Sequence, residues 1–293
     1  MNDQLREKPT NIESVLPPVK ELVVNKPAKH RYIDLDGIEH VLDFRELAGE
    51  DPYPIPMPVD REGYGSVEHS HQHWATGHGD WLNVKQAIAR HMPNEPERLL
   101  DFGCATGRFL RHVMTFGNQE AHGCDFAPAN VNWVKRHLPK EVRVKLNTAK
   151  PELPYDDAYF DVVTAFSVFT HIDQDENEWL SELKRVTKPD GLLYITIQNE
   201  ASWQQVLTRP GALAHIRGAI MTPGNLQVSK EMFEEPMPAD RLVIRKSDAP
   251  IYNCNVWQSS QYVYNNWSQQ FEILKIADTA HTSYQSVVIA KPK

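Results

Sequence analysis

The sequence predicts an α/β protein built on a doubly wound, mostly parallel sheet. Three observations carry this. Between residues 80 and 292, short apolar runs alternate with segments of helical spacing. The runs are nearly continuous in Val, Ile, Leu and Phe, as strands are when helices cover both faces. The first of them passes into a helix through a turn of small residues, DFGCATG (101–107).

The elements follow in order. Residues 1–60 are rich in proline and charge, and DPYPIPMPVD (51–60) reads as an extended, polyproline-like strap. DWLNVKQAIARHM (80–92) has apolar residues at 81, 84, 87, 88 and 92, which predicts a helix with Asp80 as its N-cap. RLLDF (98–102) is a buried strand, and CATGRFLRHVMTF (104–116) is the helix after it. EAHGCDF (120–126) is a second strand, APANVNWVKRHL (127–138) a helix, EVRVKLN (141–147) a third strand and YFDVVTAFSVFT (159–170) a fourth. DENEWLSELKRVT (175–187) is a helix, KPDG (188–191) its turn and LLYITIQ (192–198) a fifth strand. The pattern lapses over 199–255, returns as a helix in SSQYVYNNWSQQF (259–271), and closes with FEILKIA (271–277) and YQSVVIAKP (284–292), an antiparallel pair.

Bulk properties narrow the class. The chain has 293 residues, 41% hydrophobic and 24% charged, which suits a globular protein with a full core. Its net charge of −8 and pI of about 5.9 do not favour nucleic acid or an anionic membrane. No apolar run approaches the ~20 residues of a membrane helix, and the polar N-terminus MNDQLREKPTNIES has no apolar signal core. Cys104, Cys124 and Cys254 form neither a disulfide framework nor a CxxC zinc pattern, so a reduced, cytoplasmic protein is expected.

The loop at 101–107 carries the chemistry. Small residues at 103, 105 and 107 let a ligand approach the backbone, and the helix that follows offers unpaired N–H groups. Asp101 stands at the strand end, where it matches a cationic ligand group better than a pyrophosphate. Asp125 ends the next strand, where a carboxylate accepts hydrogen bonds from ribose hydroxyls. Phe126 beside it offers an apolar face to a base. Together these suit a ligand with an amino-acid end, a ribose and a base but no phosphate, which is S-adenosyl-L-methionine. An NAD-dependent oxidoreductase is disfavoured by Asp101 and by the poor G-x-G-x-x-G match.

LLDFGCATGRFL resembles the first motif of class I S-adenosylmethionine-dependent methyltransferases, and GCDFAP their acidic second motif. NTAKPELPYDDAYFDVVTAFSVFTHID and WLSELKRVTKPDGLLYIT resemble the segments around their fourth and fifth strands, and FEILKIAD with YQSVVIAKP their sixth and seventh. The resemblance covers 98–198 and, less tightly, 259–292. It is specific for the superfamily and nearly mute on substrate. Ala105 and Asp190 depart from the usual glycines. The resemblance implies a seven-stranded, Rossmann-like methyltransferase fold whose last strand is inserted antiparallel. It implies an N-terminal extension (1–79), a methyltransferase domain (80–293) and a lid insert (199–258) between strands five and six. It assigns Asp101, Gly103, Ala105 and Gly107 to the methionine part of the cofactor, with Arg108 either pairing with its carboxylate or simply solvated. It assigns Asp125 to the ribose, Phe126, Asn147 and Thr148 to the adenine, and Phe166 and Ser167 to the sulfonium side. The product is S-adenosyl-L-homocysteine.

The acceptor is less legible. A hydroxyl acceptor benefits from a general base near neutral pH, for which histidine is suited. His171, after the fourth strand, is one candidate; it either acts so or pins its loop through backbone, and Asp173 either orients it or caps the next helix. HSHQHWATGHGDW (69–81) holds four histidines, and His69, His71 and His73 alternate as on one face of a strand. His73 is a second candidate base, with His71, Trp74 and, from the insert, Trp203 as acceptor contacts. Arg209, His215, Arg217, Trp257 and Tyr262 are further polar or aromatic candidates. Glu68 or Asp80 with these histidines lacks a clear third-ligand pattern, so no metal is expected. The expectation is a methyltransferase acting on an oxygen of a sugar-like or secondary-metabolite-like small molecule, with no nucleic-acid partner and no membrane span; a homo-oligomer is compatible with it. N- or C-methylation, or a non-catalytic cofactor-binding protein, are the alternatives.

Overall fold

The computed structural model describes residues 14–61, 70–209, 211–212, 216, 218–246 and 254–293. Seven strands form the main sheet: β5 (Arg98–Phe102), β6 (Glu120–Asp125), β7 (Arg143–Leu146), β8 (Phe160–Ala165), β9 (Thr187–Ile197), β14 (Phe271–His281) and β15 (Gln285–Pro292). Their order is β14-β15-β9-β8-β5-β6-β7. Six of them run in one direction, and β15 lies antiparallel between β14 and β9. The order reverses between β5 and β8, so the ligand cleft of such a sheet lies outside the carboxyl ends of these strands.

Both faces of this sheet are covered. Side chains alternate along a strand, and here both alternates are apolar. Leu99, Val162 and Leu192 pack with Trp81, Leu110 and Val134, under α2 (Ser70–His91), α3 (Leu110–Phe116) and α4 (Pro128–His137). Their neighbours Leu100, Val163 and Leu193 pack with Trp179, Leu183 and Trp267, under α5 (Glu176–Val186) and the segment after α7 (Ser260–Asn266). Burying each such side chain is worth about 1.5–3 kcal/mol, which is why the strand runs carry almost no polar residue.

Four boundaries differ from the sequence reading. α2 begins at Ser70, not at 80, and runs through Gly77 and Gly79. Each glycine costs a helix about 1 kcal/mol, which hides the extra turns. Packing reverses the preference: a Cβ on Gly77 would meet the Arg108 carbonyl at 2.5 Å, and one on Gly79 would meet Tyr32 at 3.2 Å. The histidines of this stretch therefore ride on a helix, Asp80 sits mid-helix instead of capping it, and the expected domain boundary at 79/80 falls inside one element. Glu68 and His69 lie outside the described residues. After β5, α3 starts only at Leu110, because Gly103, Ala105 and Gly107 all take left-handed φ (+73°, +46° and +77°). KPDG does not simply precede β9. Phe160 pairs with Thr187 and Val162 with Leu192, so Lys188–Gly191 bulges out of the ladder. Finally, β14 runs four residues past Ala277, to His281.

The N-terminal segment wraps α2. β1 (Val15–Pro18) pairs with β4 (Pro54–Pro56), and β2 (Lys29–Ile33) with β3 (Glu39–Asp43). The proline strap is thus a short paired strand, with Ile55 fully buried. Val19, Phe44, Ile55 and Trp74 form a separate core there. Between β9 and β14 lies a second sheet, of β10 (Ile220–Thr222), β11 (Leu226–Gln227), β12 (Arg241–Arg245) and β13 (Cys254–Gln258), in the order β11-β10-β12-β13. It has its own core, which includes Trp203, Met221, Phe233, Ile244 and Trp257. No described helix is long and apolar enough to cross a membrane.

Candidate functional site

The carboxyl ends of β5 and β6 place Asp101 and Asp125 beside the turn at 103–107. Asp125 is 5% exposed. Its Oδ2 accepts the Ala105 N–H (2.9 Å), and its Oδ1 accepts the Ala127 N–H (2.8 Å) and the Asn130 amide (3.2 Å). One carboxylate thus holds both the turn and the first turn of α4, where the unpaired N–H groups favour negative charge. The glycines are explained by packing as well as by φ. A Cβ on Gly103 would lie 2.5 Å from Val168 Cγ2, and one on Gly107 would lie 2.7 Å from Leu138 Cδ1. Ala105 adopts the same left-handed region with a Cβ, at a cost of about 1–2 kcal/mol.

Asp101 is 3% exposed and accepts one hydrogen bond, from Thr164 Oγ1 (3.0 Å). Among the described residues no cation pairs with it. Burial pushes its acid up to about 7, against the pull of the Thr164 hydroxyl and Arg108.

Next to it stands a network that sequence reasoning missed. Asp80, 3% exposed on α2, accepts from Arg108 Nη1 (2.5 Å) and from His281 Nδ1 (2.8 Å). Burial pushes the Asp80 acid up, but His281 and Arg108 together outweigh this and hold it below the usual carboxylate range. Arg108 therefore has a protein carboxylate as partner, and its guanidinium lies 5.6 Å from the centre of the Phe166 ring. Phe166 in turn packs on Phe109, Tyr194 and His281, with the His281 ring 5.3 Å away. His281 and Asp80 are 201 residues apart. No local motif marks either one, and only the β14 extension past Ala277 brings them together.

The other expected site residues fall in several places. Phe126 is exposed (40%) beside Asp125. Asn147 is buried, donating to the Thr148 carbonyl (2.7 Å), while its Oδ1 is buried without a hydrogen bond; Thr148 is exposed. Ser167 has φ +56°; its N–H donates to Thr196 Oγ1 (2.7 Å) and its hydroxyl to Gln285 (3.0 Å). His171 is exposed and its Nδ1 bonds the Cys254 carbonyl (2.6 Å), so it ties its loop to β13. His71 is half-buried and stacked on Phe44 at 6.3 Å.

Three expectations are corrected. Trp74 is fully buried and donates to Asp51 (2.7 Å); it belongs to the N-terminal core, not to an acceptor wall. Trp203 is 1% exposed, donates to the Glu235 carbonyl and fills the core of the second sheet. His73, 3% exposed, is enclosed: burial, then Arg108, Arg111 and Arg61, hold it neutral well below the ordinary histidine range. Trp74 and His73 share one cause, an α2 that begins ten residues earlier and turns these side chains inward, whereas Trp203 is drawn into the separate core of the second sheet. Trp257 is likewise sealed in the second-sheet core, and Arg209 lies over the Tyr284 ring at 4.9 Å. Tyr262 is half-buried against the α5 side of the main core. His215 and Arg217 lie outside the described residues.

A doubly wound sheet with this strand order, two acids at the ends of β5 and β6 and a left-handed turn between them defines an α/β domain with a ligand cleft beyond its strand ends. Residues 100–195 match the family described as "Methyltransferase domain". The chain thus carries a methyltransferase domain over this segment. It is 24% identical over 122 residues to a mitochondrial ubiquinone biosynthesis O-methyltransferase of Dictyostelium discoideum, covering 38% of each chain. It is 27% identical over 146 residues to a tRNA U34 carboxymethyltransferase of Ectopseudomonas mendocina, covering 47% of this chain and 44% of that one. The chain thus spans less than half the length of these curated relatives. Its fold is similar to that of the PH0226 protein of Pyrococcus horikoshii, with a TM-score of 0.54 at 18% identity over 81% of this chain and 96% of that one.

The residues fit S-adenosylmethionine, the cofactor expected from the sequence. A buried carboxylate without a cation is costly, and an ammonium group delivered to Asp101 would restore its charge. The turn 103–107 and the start of α3 supply backbone groups next to it.

Proposed function

We propose that the protein transfers a methyl group from S-adenosylmethionine to an oxygen of a small-molecule acceptor. The observation that carries the cofactor assignment is Asp101, a buried acid with no cationic partner among the described residues at the mouth of a left-handed turn. When bound, the cofactor supplies an activated methyl group and a neutral thioether leaving group. The chain does the rest. Asp101 receives the ammonium end. The backbone of Gly103, Ala105 and Gly107 lies along the methionine part, and Asp125 serves the ribose while bracing the turn. Phe126 covers one face of the adenine, with Asn147 and Thr148 at its edge. Phe166 and Ser167 border the sulfonium side and exclude water. In-line displacement needs alignment more than covalent help from the protein.

Three observations support a small hydroxyl acceptor. A narrow cavity lined by His30, Tyr32, Thr76, Asp80 and Thr282 adjoins the Asp80–His281 pair, which offers a base to a hydroxyl proton. The net charge of −8 opposes a polyanionic acceptor, although one curated relative is named for tRNA. The Dictyostelium relative is named for O-methylation.

Calorimetry with S-adenosylmethionine, S-adenosylhomocysteine and NAD tests the first part: micromolar binding of the first two and none of NAD is expected. Tight NAD binding alone would overturn it. A labelled-methyl screen over sugars, phenols, amines, lipids and tRNA tests the second. Label on nitrogen, carbon or tRNA, with none on a small hydroxyl, sinks the acceptor assignment.

A further inference from the structure

We infer that His281, oriented by Asp80, is the group that accepts the acceptor's proton; this rests on the proposed methyltransferase reading. The tautomer follows from the contacts. Asp80 is held ionised, so it can only accept, and the Nδ1 it faces at 2.8 Å must carry the hydrogen. The basic nitrogen of neutral His281 is then Nε2. The ring packs at 5.3 Å on Phe166, just after β8, which pairs with β5, the strand that carries Asp101. His281 lies between Ala280 and Thr282, both of which line the cavity with His30, Thr76 and Asp80. That cavity, about 10 Å³, has room for little more than a water, so the acceptor's hydroxyl and not its whole body would enter it beside Asp80.

The alternatives are less well placed. His171 is tied to Cys254 on the exposed side of its loop, and His73 is enclosed among three arginines. The charged and titratable groups around His281 are Asp80 on α2, Arg108 in the turn, His30 on β2, Tyr194 on β9 and Asp101 on β5. Of these, Asp80 is the one in direct contact with its ring nitrogen.

The step balances. The acceptor oxygen uses a lone pair to form the new O–C bond. The electron pair of the breaking C–S bond stays on sulfur, which becomes a neutral thioether. The hydroxyl proton passes to His281 Nε2, and the resulting imidazolium is stabilised by the Asp80 carboxylate. His281 is the catalytic residue in this assignment, and Asp80 is a positioning residue.

The test uses the full chain with nitrogen-15-labelled histidine, its signals assigned in the unsubstituted protein so that no variant has to fold. His281 should show the Nδ1–H tautomer. Exchanging neutral S-adenosylhomocysteine for cationic S-adenosylmethionine should lower the proton affinity of His281 at least about tenfold, the effect of a like charge within reach. His40, on the N-terminal hairpin, should not move. An Nε2–H tautomer, or the same proton affinity with both compounds, overturns the inference, as does a shift at His171 in place of His281. These failures are distinct from failure of the underlying reading. If calorimetry on the same sample shows neither compound binding, the cofactor assignment falls and the inference falls with it.

Discussion

At the scale of single residues, Asp101 is an acid kept where charge is expensive. Its ordinary value of 3.8 is pushed up to about 7, chiefly by burial. Between those limits the folded chain binds a proton that the unfolded chain does not. Its contribution to stability is therefore complete below about pH 4 and is lost as pH rises through 7. Asp101→Asn keeps the acceptor oxygen for Thr164 and removes that loss. The variant without cofactor should be more stable than the native protein at pH 8, by about 2–4 kcal/mol, and the gap should close toward pH 4. Cofactor affinity moves the other way. An ammonium beside Asp101 favours its ionised form, so binding should release a proton below pH 7, and affinity should fall up to about tenfold per pH unit there. Calorimetry in buffers of different ionisation enthalpy reads the proton directly. Flat affinity between pH 5 and 8 would mean the ammonium does not sit at Asp101.

At the scale of elements, α2 shows packing overruling propensity. Alanine is a better helix former than glycine by about 1 kcal/mol, so propensity alone predicts that Gly77→Ala stabilises. The Cβ it adds would sit 2.5 Å from the backbone carbonyl of Arg108 and 2.9 Å from the His112 ring. Backbone cannot swing aside as a side chain can, so a net loss of about 1–3 kcal/mol is expected in urea unfolding; a gain would mean α2 and the turn after β5 are looser than this contact requires. The same element marks the limit of what could be read in advance. β5, β8 and β9 were legible because burial on both faces leaves them uniformly apolar. The turn and the acids at 101 and 125 were legible because one short segment must do several things at once. The ten early residues of α2 were not, since their two glycines, three histidines and two hydroxyl side chains answer to tertiary neighbours instead of to a helical period. Trp74 read as an acceptor contact for the same reason, Trp203 read as one because its burial depends on a second sheet that the sequence did not announce, and His281 gave no sign at all because its partner lies across the whole domain.

At the scale of the whole molecule, the N-terminal segment is joined to α3, which covers the main sheet, by a buried ion pair. Arg111 on α3 is 1% exposed and makes four hydrogen bonds: two to the Asp51 carboxylate, at 2.7 and 2.9 Å, and one each to the carbonyls of Tyr53 and Pro54. Asp51 also accepts from Trp74 Nε1 at 2.7 Å, so the strap, α2 and α3 meet at one carboxylate. Removing one partner of such a pair leaves a charge buried without compensation, at about 3–5 kcal/mol, whereas replacing both with apolar groups is often close to neutral. Asp51→Leu and Arg111→Met should each cost that much. The double variant should recover most of the loss, less about 1–3 kcal/mol for the Trp74 N–H left without an acceptor. A double-mutant cycle in urea, with limited proteolysis of the strap, checks this. Additive losses would show that the two residues stabilise separate regions. Coupling of several kcal/mol would make the strap part of the same cooperative unit as the sheet. The N-terminal wall of the proposed acceptor cavity, His30 and Tyr32, would then be held by the same contacts that hold α3 behind the cofactor turn.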